Sequence, residues 1–191
     1  LGLLITSGPS GLLANPVPFL IYSDATARGT LRAHLSRGNP HWQELTAVEQ
    51  CLVAFQGPQE YITPSWYATK RETGKVVPTW NYVAVHAYGT LRLIEERDEL
   101  LKIVSQTVER YESRREEPWS IELPDPSFID KLLAAIVGFE IVVDRLEGKW
   151  KLNQNHPDER RAKIVQGLRE TDRPDEVQIA DLMEQVKPAL S

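Results

Sequence analysis

The sequence predicts an α+β fold in which antiparallel strands form a small β-barrel and helices lie at its periphery. In the first half of the chain, short apolar or alternating segments are separated by turn residues, which favours an antiparallel meander. In the second half, charged segments carry apolar residues at helical spacing. The length of 191 residues suits one domain, or one domain with an appendage.

The first strands are short and end at turn residues. Their predicted ranges are residues 3–6, 17–22, 30–35 and 50–56. Residues 7–11 form a predicted turn, because they contain a proline and two glycines. Asn39-Pro40 predicts the start of a short helix that ends near Leu45, since Asn is a good N-cap and Pro is tolerated at the first helical position.

The longest strand signal runs from residue 76 to residue 94. Both of its faces carry apolar or aromatic side chains, so we expect a central strand that is covered on both sides. Gly89 within it predicts a bulge or a tight bend. A last strand is predicted at residues 139–146.

The helices of the second half are predicted from apolar stripes and from prolines near their starts. Their ranges are residues 97–114, a helix from Pro126 that ends at Gly138, residues 157–169 and residues 174–187. The predicted organisation is therefore a barrel domain over residues 1–155, with inserted helices at about 97–137, and a helical appendage over residues 156–191.

Composition restricts the classes of function. Lys and Arg number 22 against 27 Asp and Glu, for a net charge of −5, whereas nucleic-acid-binding domains are normally basic. No apolar run reaches the roughly 18–20 residues of a membrane span, so no membrane partner is expected. Cys51 is the one cysteine, which excludes an internal disulfide framework. Without a signal-peptide pattern, this favours a cytoplasmic protein, although the chain starts at Leu1 and an N-terminal segment is expected to be missing.

The segment from His34 to Trp42 is the best candidate for an anion site. It brings a hydroxyl, a guanidinium and a glycine directly before a predicted helix start. Free backbone N–H groups and the helix dipole favour an anion there, and Arg37 would add a charge-assisted contact to phosphate. The alternative is an ordinary capped helix with Arg37 in solvent.

Two further segments suggest ligand contacts. Residues 61–67 and 75–82 are rich in aromatic and small hydroxyl side chains, which suit either a pocket for a flat heterocycle or a barrel core. Residues 147–155 combine two lysines, a tryptophan and three amides, which suit an anionic ligand or an exposed strand end.

Common catalytic motifs are absent from the sequence. The four histidines, His34, His41, His86 and His156, lack close metal-ligand spacing. Cys51 lies in an apolar strand and is interpreted as a buried structural thiol. The acidic run at residues 95–99 is interpreted as a solvated helix start.

Several blocks of the sequence resemble the PaiB family, whose members are FMN-binding negative transcriptional regulators. The resemblance covers the chain from Leu3 to about Leu168. One departure is Asn153, which stands where the family block ending Lys-Leu-Ser-Gln-Asn has Ser. The blocks are Tyr61-Ile-Thr-Pro-Ser-Trp-Tyr67, Gly74-Lys-Val-Val-Pro-Thr-Trp-Asn-Tyr82, Gly148-Lys-Trp-Lys-Leu-Asn-Gln-Asn155, residues 7–16, residues 55–58 and residues 135–139.

This resemblance implies an antiparallel, Greek-key split β-barrel of the pyridoxamine-phosphate-oxidase-like kind. It also implies a homodimer with FMN in grooves at the subunit interface. The residues implied near the FMN phosphate are His34, Ser36, Arg37 and Asn39. Those implied near the isoalloxazine are Ser7, Asn15 and Pro16, and those implied for ring or ribityl contacts, some from the second subunit, are Thr63, Thr79, Asn81, Lys151 and Gln154.

Three functional hypotheses remain from the sequence. The resemblance favours an FMN-binding repressor, although the net charge does not support DNA as a direct partner. The alternative is an FMN-dependent NAD(P)H oxidoreductase or a flavin-trafficking protein, because the cofactor itself would supply the redox chemistry. A third hypothesis is a barrel that holds no flavin.

Overall fold

A computed structural model of the chain describes residues 1–23, 26–48, 50–67, 74–171 and 173–186. The strands are β1 (Gly2–Gly8), β2 (Gly11–Val17), β3 (Leu20–Tyr22), β4 (Thr30–Ser36), β5 (Gln50–Ile62), β6 (Thr79–Ile94) and β7 (Ile136–Lys151). The helices are α1 (His41–Glu44), α2 (Arg97–Glu112), α3 (Pro126–Ala134), α4 (Asp158–Arg169) and α5 (Pro174–Gln185). Single turns of 3-10 helix lie at Leu45–Ala47 and Pro64–Trp66.

The strands form one seven-stranded sheet in the order β2-β1-β5-β6-β7-β4-β3. The pairs β1–β2, β1–β5, β3–β4 and β4–β7 are antiparallel. Neighbours in the sheet are often distant in sequence, since β4 lies beside β7 while β5 lies beside β1. The predicted α+β class with antiparallel strands is confirmed.

The N-terminal strands differ from the prediction. Residues 17–22 are not one strand, because the chain leaves β2 at Val17 and enters β3 only at Leu20, with Pro18 between them. Residues 11–17 pair with β1 instead, so that Pro16 stands opposite Leu3. Proline is tolerated there because β2 is the edge of the sheet and needs no further ladder partner.

Strand β7 is longer than the sequence indicated, because it extends from Ile136 to Lys151. Gly138 was expected to end a helix, but it lies inside this strand. A Cβ on Gly138 would approach Leu100 Cδ2 to 2.8 Å, so the glycine lets α2 pack closely against the strand. Lys149, Trp150 and Lys151 are therefore strand residues rather than part of a loop after the strand.

The first compact unit consists of residues 1–55 and 86–147. Its core contains Leu4, Phe139 and Ile141, which are completely buried. Helices α2 and α3 contribute a second apolar cluster to this unit, which includes Ile103 and Leu133. Glu140 in β7 is buried between two arginines of the same unit, with Arg32 at 2.5 Å and Arg92 at 3.1 Å.

The second compact unit consists of residues 56–85 and 148–191. Its core joins the ends of the long strands to α4 and α5 through Ile62, Leu152, Leu168 and Ile179, which are completely buried. A Cβ on Gly167 would meet the Trp66 ring at 2.5 Å, so this glycine allows the indole to lie against α4.

The division into a barrel domain at residues 1–155 and an appendage at residues 156–191 stays a prediction. Within the described ranges, no helix is long and apolar enough to cross a membrane.

Candidate functional site

A buried hydrogen-bond network joins β1, β2 and α1 in the first unit. His41 is 2% exposed, and its ring bonds to Thr6 Oγ1 through Nε2 and to Asn15 Nδ2 through Nδ1, both at 2.7 Å. Asn39 Nδ2 donates to Asn15 Oδ1 at 3.1 Å, and Asn39 Oδ1 accepts from the His41 backbone N–H at 3.0 Å. The network brings the predicted residues Asn15 and Asn39 into direct contact.

The network assigns His41 one tautomer. Because the Asn15 amide group donates to Nδ1, the ring proton of neutral His41 lies on Nε2 and is donated to Thr6 Oγ1. Burial lowers the pKa of His41 despite the opposing effect of Glu44, so the neutral ring persists at neutral pH. His41 therefore acts as a fixed support for Asn15 and Asn39.

The turn between β4 and α1 does not offer free backbone N–H groups, contrary to the expectation. Arg37 N donates to Ala135 O, and Gly38 N donates to Ser36 Oγ. The N–H groups of Asn39, His41, Trp42 and Gln43 also have acceptors within the turn. Because α1 is only four residues long, an anion here would depend on side chains.

Arg37 is the main charge at this turn, and it is not isolated. Its Nη2 lies 2.7 Å from Glu95 Oε2, and its guanidinium lies 5.0 Å from the centre of the Trp42 ring. Glu95 is therefore an ion-pair partner of Arg37. The sequence interpretation of residues 95–99 as a solvated helix start did not include this pair. A cavity of about 270 Å³ adjoins this pair and is also lined by Arg97 and Asp130.

The other predicted residues of the first unit lie on three strands, with Ser7 on β1, Pro16 on β2, and His34 and Ser36 on β4. Ser36 and Ser7 are exposed, as is Pro16 on the edge strand. His34 is half-buried on β4, and burial lowers its pKa. At neutral pH the His34 ring is therefore uncharged, so an anionic ligand there would meet a hydrogen-bonding group rather than a positive charge.

In the second unit, Thr79 and Lys151 lie together. Lys151 Nζ donates to Thr79 Oγ1 at 2.9 Å, and both residues line a cavity of about 300 Å³. Lys151 also lies 5.7 Å from the centre of the Tyr82 ring. Of the predicted residues in this unit, these two face a cavity.

The remaining predicted residues of the second unit have local structural roles. Asn81 is completely buried, and its Nδ2 donates to Met183 Sδ at 3.3 Å. Gln154 uses both ends of its amide on the backbone, at Trp150 O and Leu152 N. Thr63 accepts from Ser65 N at the start of the 3-10 turn.

The same cavity brings together residues that the sequence did not single out as site residues. They are Tyr67, Lys75, Asn153, His156 and Arg160. Arg160 lies on α4, and its guanidinium is 5.4 Å from the centre of the Tyr67 ring. Asn153 has a φ of 56°, a left-handed conformation that Asn adopts more readily than Ser, which accounts for Asn at this position. The grouping of these five residues could not be predicted because they are far apart in the sequence.

Cys51 is not a candidate nucleophile. It is 5% exposed, and its Sγ donates to Gly89 O at 3.4 Å. Burial and the nearby Asp144 raise the pKa of the Cys51 thiol to about 12. The expectation of a buried structural thiol is confirmed.

Comparison with known proteins gives a family match over most of the chain. Residues 1–145 match the sequence model of a family described as "Putative FMN-binding domain". The chain is also 37% identical over 154 residues to the Bacillus subtilis protease synthase and sporulation protein PAI 2, covering 81% of this chain and 72% of that protein. The match at residues 1–145 includes the His41 network and the Arg37 turn.

Solved structures share the fold at low sequence identity. The flavocytochrome Anf3 from Azotobacter vinelandii has a TM-score of 0.54 at 13% identity, over 84% of this chain and 66% of that one. The FAD and heme binding protein from Mycobacterium smegmatis has a TM-score of 0.52 at 15% identity, over 84% and 70% of the two chains. The predicted split β-barrel fold is confirmed.

Proposed function

The chain belongs to the FMN-binding domain family matched by residues 1–145, and on that premise we propose that it is an FMN-binding homodimer that represses transcription. The family match is the observation that carries FMN as the cofactor. When bound, FMN supplies redox chemistry that the protein side chains do not. The protein's part is to bind the phosphate, orient the ring and control access to it.

The side chains of the first unit offer hydrogen-bond donors that suit the phosphate of a cofactor. Arg37 has five guanidinium N–H groups, so one bond to Glu95 leaves donors for phosphate oxygens. Ser36 precedes Arg37 and is exposed, with a hydroxyl oxygen that accepts from Gly38 N, while His34 would contribute a neutral ring. Asn39 and Asn15 are held in place by His41, and we propose that Asn15, Ser7 and Pro16 lie near the isoalloxazine.

The second unit would contribute ring or ribityl contacts, some of them to the FMN of the partner subunit. Thr79 and Lys151 are the best placed, because they line a cavity. Thr63 and Gln154 would act by holding the surrounding backbone, since their polar groups already have partners inside the protein. Asn81 lies in the core, where its Nδ2 donates to Met183 Sδ, while its buried Oδ1 has no hydrogen-bond partner among the described residues.

Exposed apolar side chains support the homodimer. In the first unit, Leu12 is 79% exposed and Ile21 is 69% exposed. In the second unit, Tyr61 and Trp80 form an edge-to-face pair although both are exposed, and Trp150 is also exposed. Aromatic side chains of this kind are enriched at protein interfaces. We expect size-exclusion chromatography with light scattering to give twice the mass of 21.7 kDa.

One observation favours the alternative, an FMN-dependent NAD(P)H oxidoreductase or a flavin-trafficking protein. The helices α4 and α5 are not a basic surface, because Arg169 pairs with Asp181 and Glu184, and Arg173 pairs with Glu176. DNA affinity depends mainly on neutralising phosphates. Repression by this chain would therefore use a local patch or a partner protein.

A paired assay on FMN-loaded protein separates the two functions. The repressor proposal expects a DNA mobility shift that weakens steeply with salt, and NADPH consumption no faster than with free FMN. The oxidoreductase alternative expects NADPH turnover above free FMN, with no shift at any salt concentration. The second pattern would overturn repression by direct DNA binding.

A further inference from the structure

Three hydrogen bonds form a closed ring that begins and ends at His41. The His41 backbone N–H donates to Asn39 Oδ1 at 3.0 Å, and Asn39 Nδ2 donates to Asn15 Oδ1 at 3.1 Å. Asn15 Nδ2 then donates to Nδ1 of the His41 imidazole at 2.7 Å. The first donor fixes the direction of all three bonds, because a backbone N–H can only donate. Each of the two side-chain amides therefore has a single orientation.

This hydrogen-bond ring requires an unprotonated Nδ1 on His41. A proton on Nδ1 would face the Asn15 amide nitrogen at 2.7 Å, so two donors would meet. Turning the Asn15 amide around would bring its nitrogen against Asn39 Nδ2, and turning Asn39 around would bring that nitrogen against the His41 backbone N–H. No rotation of the two amides restores all three bonds. Protonation of His41 therefore opens the hydrogen-bond ring.

The elements packed against His41 bring few ionisable groups to its imidazole. Strands β1 and β2 contain no acidic, basic, Cys or Tyr residue, and Arg37 in the turn before α1 is paired with a carboxylate 2.7 Å away. Cys51 stands opposite Thr6 in the sheet, and its pKa of about 12 keeps the thiol neutral. Burial lowers the pKa of His41, and Glu44 on α1 opposes this with a smaller effect. The imidazole is therefore neutral at neutral pH, and it takes up a proton only below its ordinary pKa of 6.5.

The two asparagines of the hydrogen-bond ring lie in different parts of the proposed FMN site. Asn39 lies in the turn that carries Arg37, and Asn15 lies on β2, the edge strand proposed near the isoalloxazine. Because β2 is the edge of the sheet, its ladder to β1 is supplemented by the link from Asn15 to the turn. Opening the hydrogen-bond ring would release a side chain in each part of the site.

We propose that His41 is a positioning residue that regulates FMN retention: the cofactor is held while Nδ1 of His41 is unprotonated and is released when Nδ1 takes up a proton. This inference rests on the proposed FMN site and adds its regulation. Protonation of Nδ1 leaves the bond from Nε2–H to Thr6 Oγ1 intact, so the effect falls on Asn15 and Asn39. Acid therefore lowers the affinity for FMN through these two side chains.

Two substitutions of His41 separate the roles of its two ring nitrogens. His41→Asn places an amide oxygen near the position of Nδ1, so the bond from Asn15 can still form. His41→Gln places its amide near the position of Nε2, so it can reach Thr6 but not Asn15. In FMN fluorescence titrations at neutral pH, His41→Gln should bind about tenfold more weakly than the unaltered protein, because a buried donor loses its acceptor. His41→Asn should stay within about threefold of the unaltered protein, because that acceptor is kept.

A second measurement follows the protonation of His41 in the unaltered protein, by NMR of ¹⁵N-labelled imidazoles. The His41 signals are assigned by their absence from His41→Asn. Flavin-free protein should show a proton on Nε2 and none on Nδ1 at neutral pH. Saturation with FMN should lower the pKa of His41 further, because a ligand that requires the neutral imidazole opposes its protonation. A phosphate that acted only through its negative charge would raise this pKa instead.

The pH dependence of FMN affinity gives the reciprocal result. Below the pKa of His41, the FMN dissociation constant should rise by up to about tenfold per pH unit, the slope for one coupled proton. The phosphate of FMN, with a second pKa of about 6, adds its own dependence. His41→Asn has no titrating imidazole at this position, so it should keep only the phosphate contribution. His86→Gln, which changes a histidine of the same unit outside the hydrogen-bond ring, should keep the full dependence.

Two results would overturn the proposal. They are equal FMN affinities of His41→Gln and His41→Asn, or a pKa of His41 that is unchanged or raised when FMN binds. If His41→Gln does not fold, the pKa change in the unaltered protein decides. Failure of the proposed function is a separate result, because the unaltered protein would then bind no FMN even at neutral pH.

Discussion

At the scale of single residues, Arg37 is the side chain on which the proposed FMN site depends most. It follows Ser36 at the β4–α1 turn, where the backbone N–H groups already have acceptors. Glu95 competes for the same guanidinium at 2.7 Å. In this proposal the affinity for FMN depends on how well its phosphate replaces the Glu95 carboxylate as the partner of Arg37.

This exchange predicts opposite effects of two substitutions. Arg37→Ala should weaken FMN binding by about 1.5–3 kcal/mol, the range for a hydrogen bond to a charged group. Glu95→Gln should strengthen it by up to about 1 kcal/mol, because an exposed ion pair of that strength no longer competes. Quenching of FMN fluorescence on titration measures both, with Arg115→Ala as an exposed control. Equal affinity in Arg37→Ala and the unaltered protein would remove Arg37 from the site.

Glu140 predicts a pH-dependent contribution to stability. Burial would raise its pKa, but hydrogen bonds and charge from Arg32 and Arg92 hold the pKa of Glu140 below its ordinary value of 4.5. The ionised form therefore stabilises the folded state. Its contribution is full above about pH 4.5 and is lost as the pH falls through the lower pKa of the folded state.

Urea unfolding of Glu140→Gln measures this contribution. At neutral pH the variant should lose about 1.5–3 kcal/mol, because Arg32 is left half-buried without its carboxylate. At pH 3 the difference should be smaller, since the stabilisation by ionised Glu140 is lost as the pH falls below 4.5 and through its lowered pKa. A difference that is the same at both pH values would contradict this role.

Local sequence predicted some residues of the candidate site and missed those that contact it from distant parts of the chain. The hydroxyl, guanidinium and amide at Ser36, Arg37 and Asn39 were recognisable as a candidate anion site. The competitor Glu95 was not, because it is 58 residues away from Arg37 in sequence. His41 was noted only among the four histidines that lack metal-ligand spacing, since nothing local indicates that it lies between Thr6 and Asn15.

At the scale of secondary-structure elements, the alternating strand β4 was predicted within one residue of its observed end. The pattern succeeds there because Leu31, Ala33 and Leu35 all face one core. β2 was missed because its glycine, asparagine and proline indicate turns, and only its edge position makes them acceptable. β7 was predicted too short because its second half is exposed and polar.

Gly89 shows why β6 needs a glycine inside a long strand. A Cβ at this position would come within 2.2 Å of Val142 O, so the neighbouring backbone leaves no space for a side chain. The close backbone approach gives a reason for the glycine, and the bulge or bend expected there stays a prediction.

Gly89→Ala should destabilise the protein by about 1–3 kcal/mol, the range for overpacking a well-packed core. Gly38→Ala is the matched control, because its Cβ would meet Ser36 Oγ at an ordinary 3.4 Å. Thermal unfolding of both variants gives the comparison. A Gly89→Ala midpoint as high as that of Gly38→Ala would show that β6 and β7 can separate at no cost.

At the scale of the whole molecule, the net charge argues against direct DNA binding, whereas the family match supports flavin binding. The net charge of −5 and the ion-paired arginines of α4 and α5 oppose direct DNA binding. The family match carries flavin binding and does not depend on that charge. An acidic protein is compatible with FMN, because the phosphate needs only a local group such as Arg37.

The two compact units were not predictable from sequence, for a physical reason. Their boundaries fall inside β5, β6 and β7 at residues 55–56, 85–86 and 147–148, where no proline-rich or charged linker interrupts the pattern. Periodicity reports burial along a strand but not which core each half of the strand joins. For the same reason periodicity did not predict the hydrogen bond between Lys151 and Thr79.

The absorbance spectrum of the purified protein, recorded after addition of FMN and desalting, tests the cofactor assignment most directly. Bands near about 370 and 450 nm that remain with the protein, at one flavin per chain, are the expected result, because the cofactor carries the chromophore and the protein only retains it. Arg37→Ala treated in the same way should lose most of this absorbance. A colourless protein after desalting would contradict FMN as the cofactor of this chain.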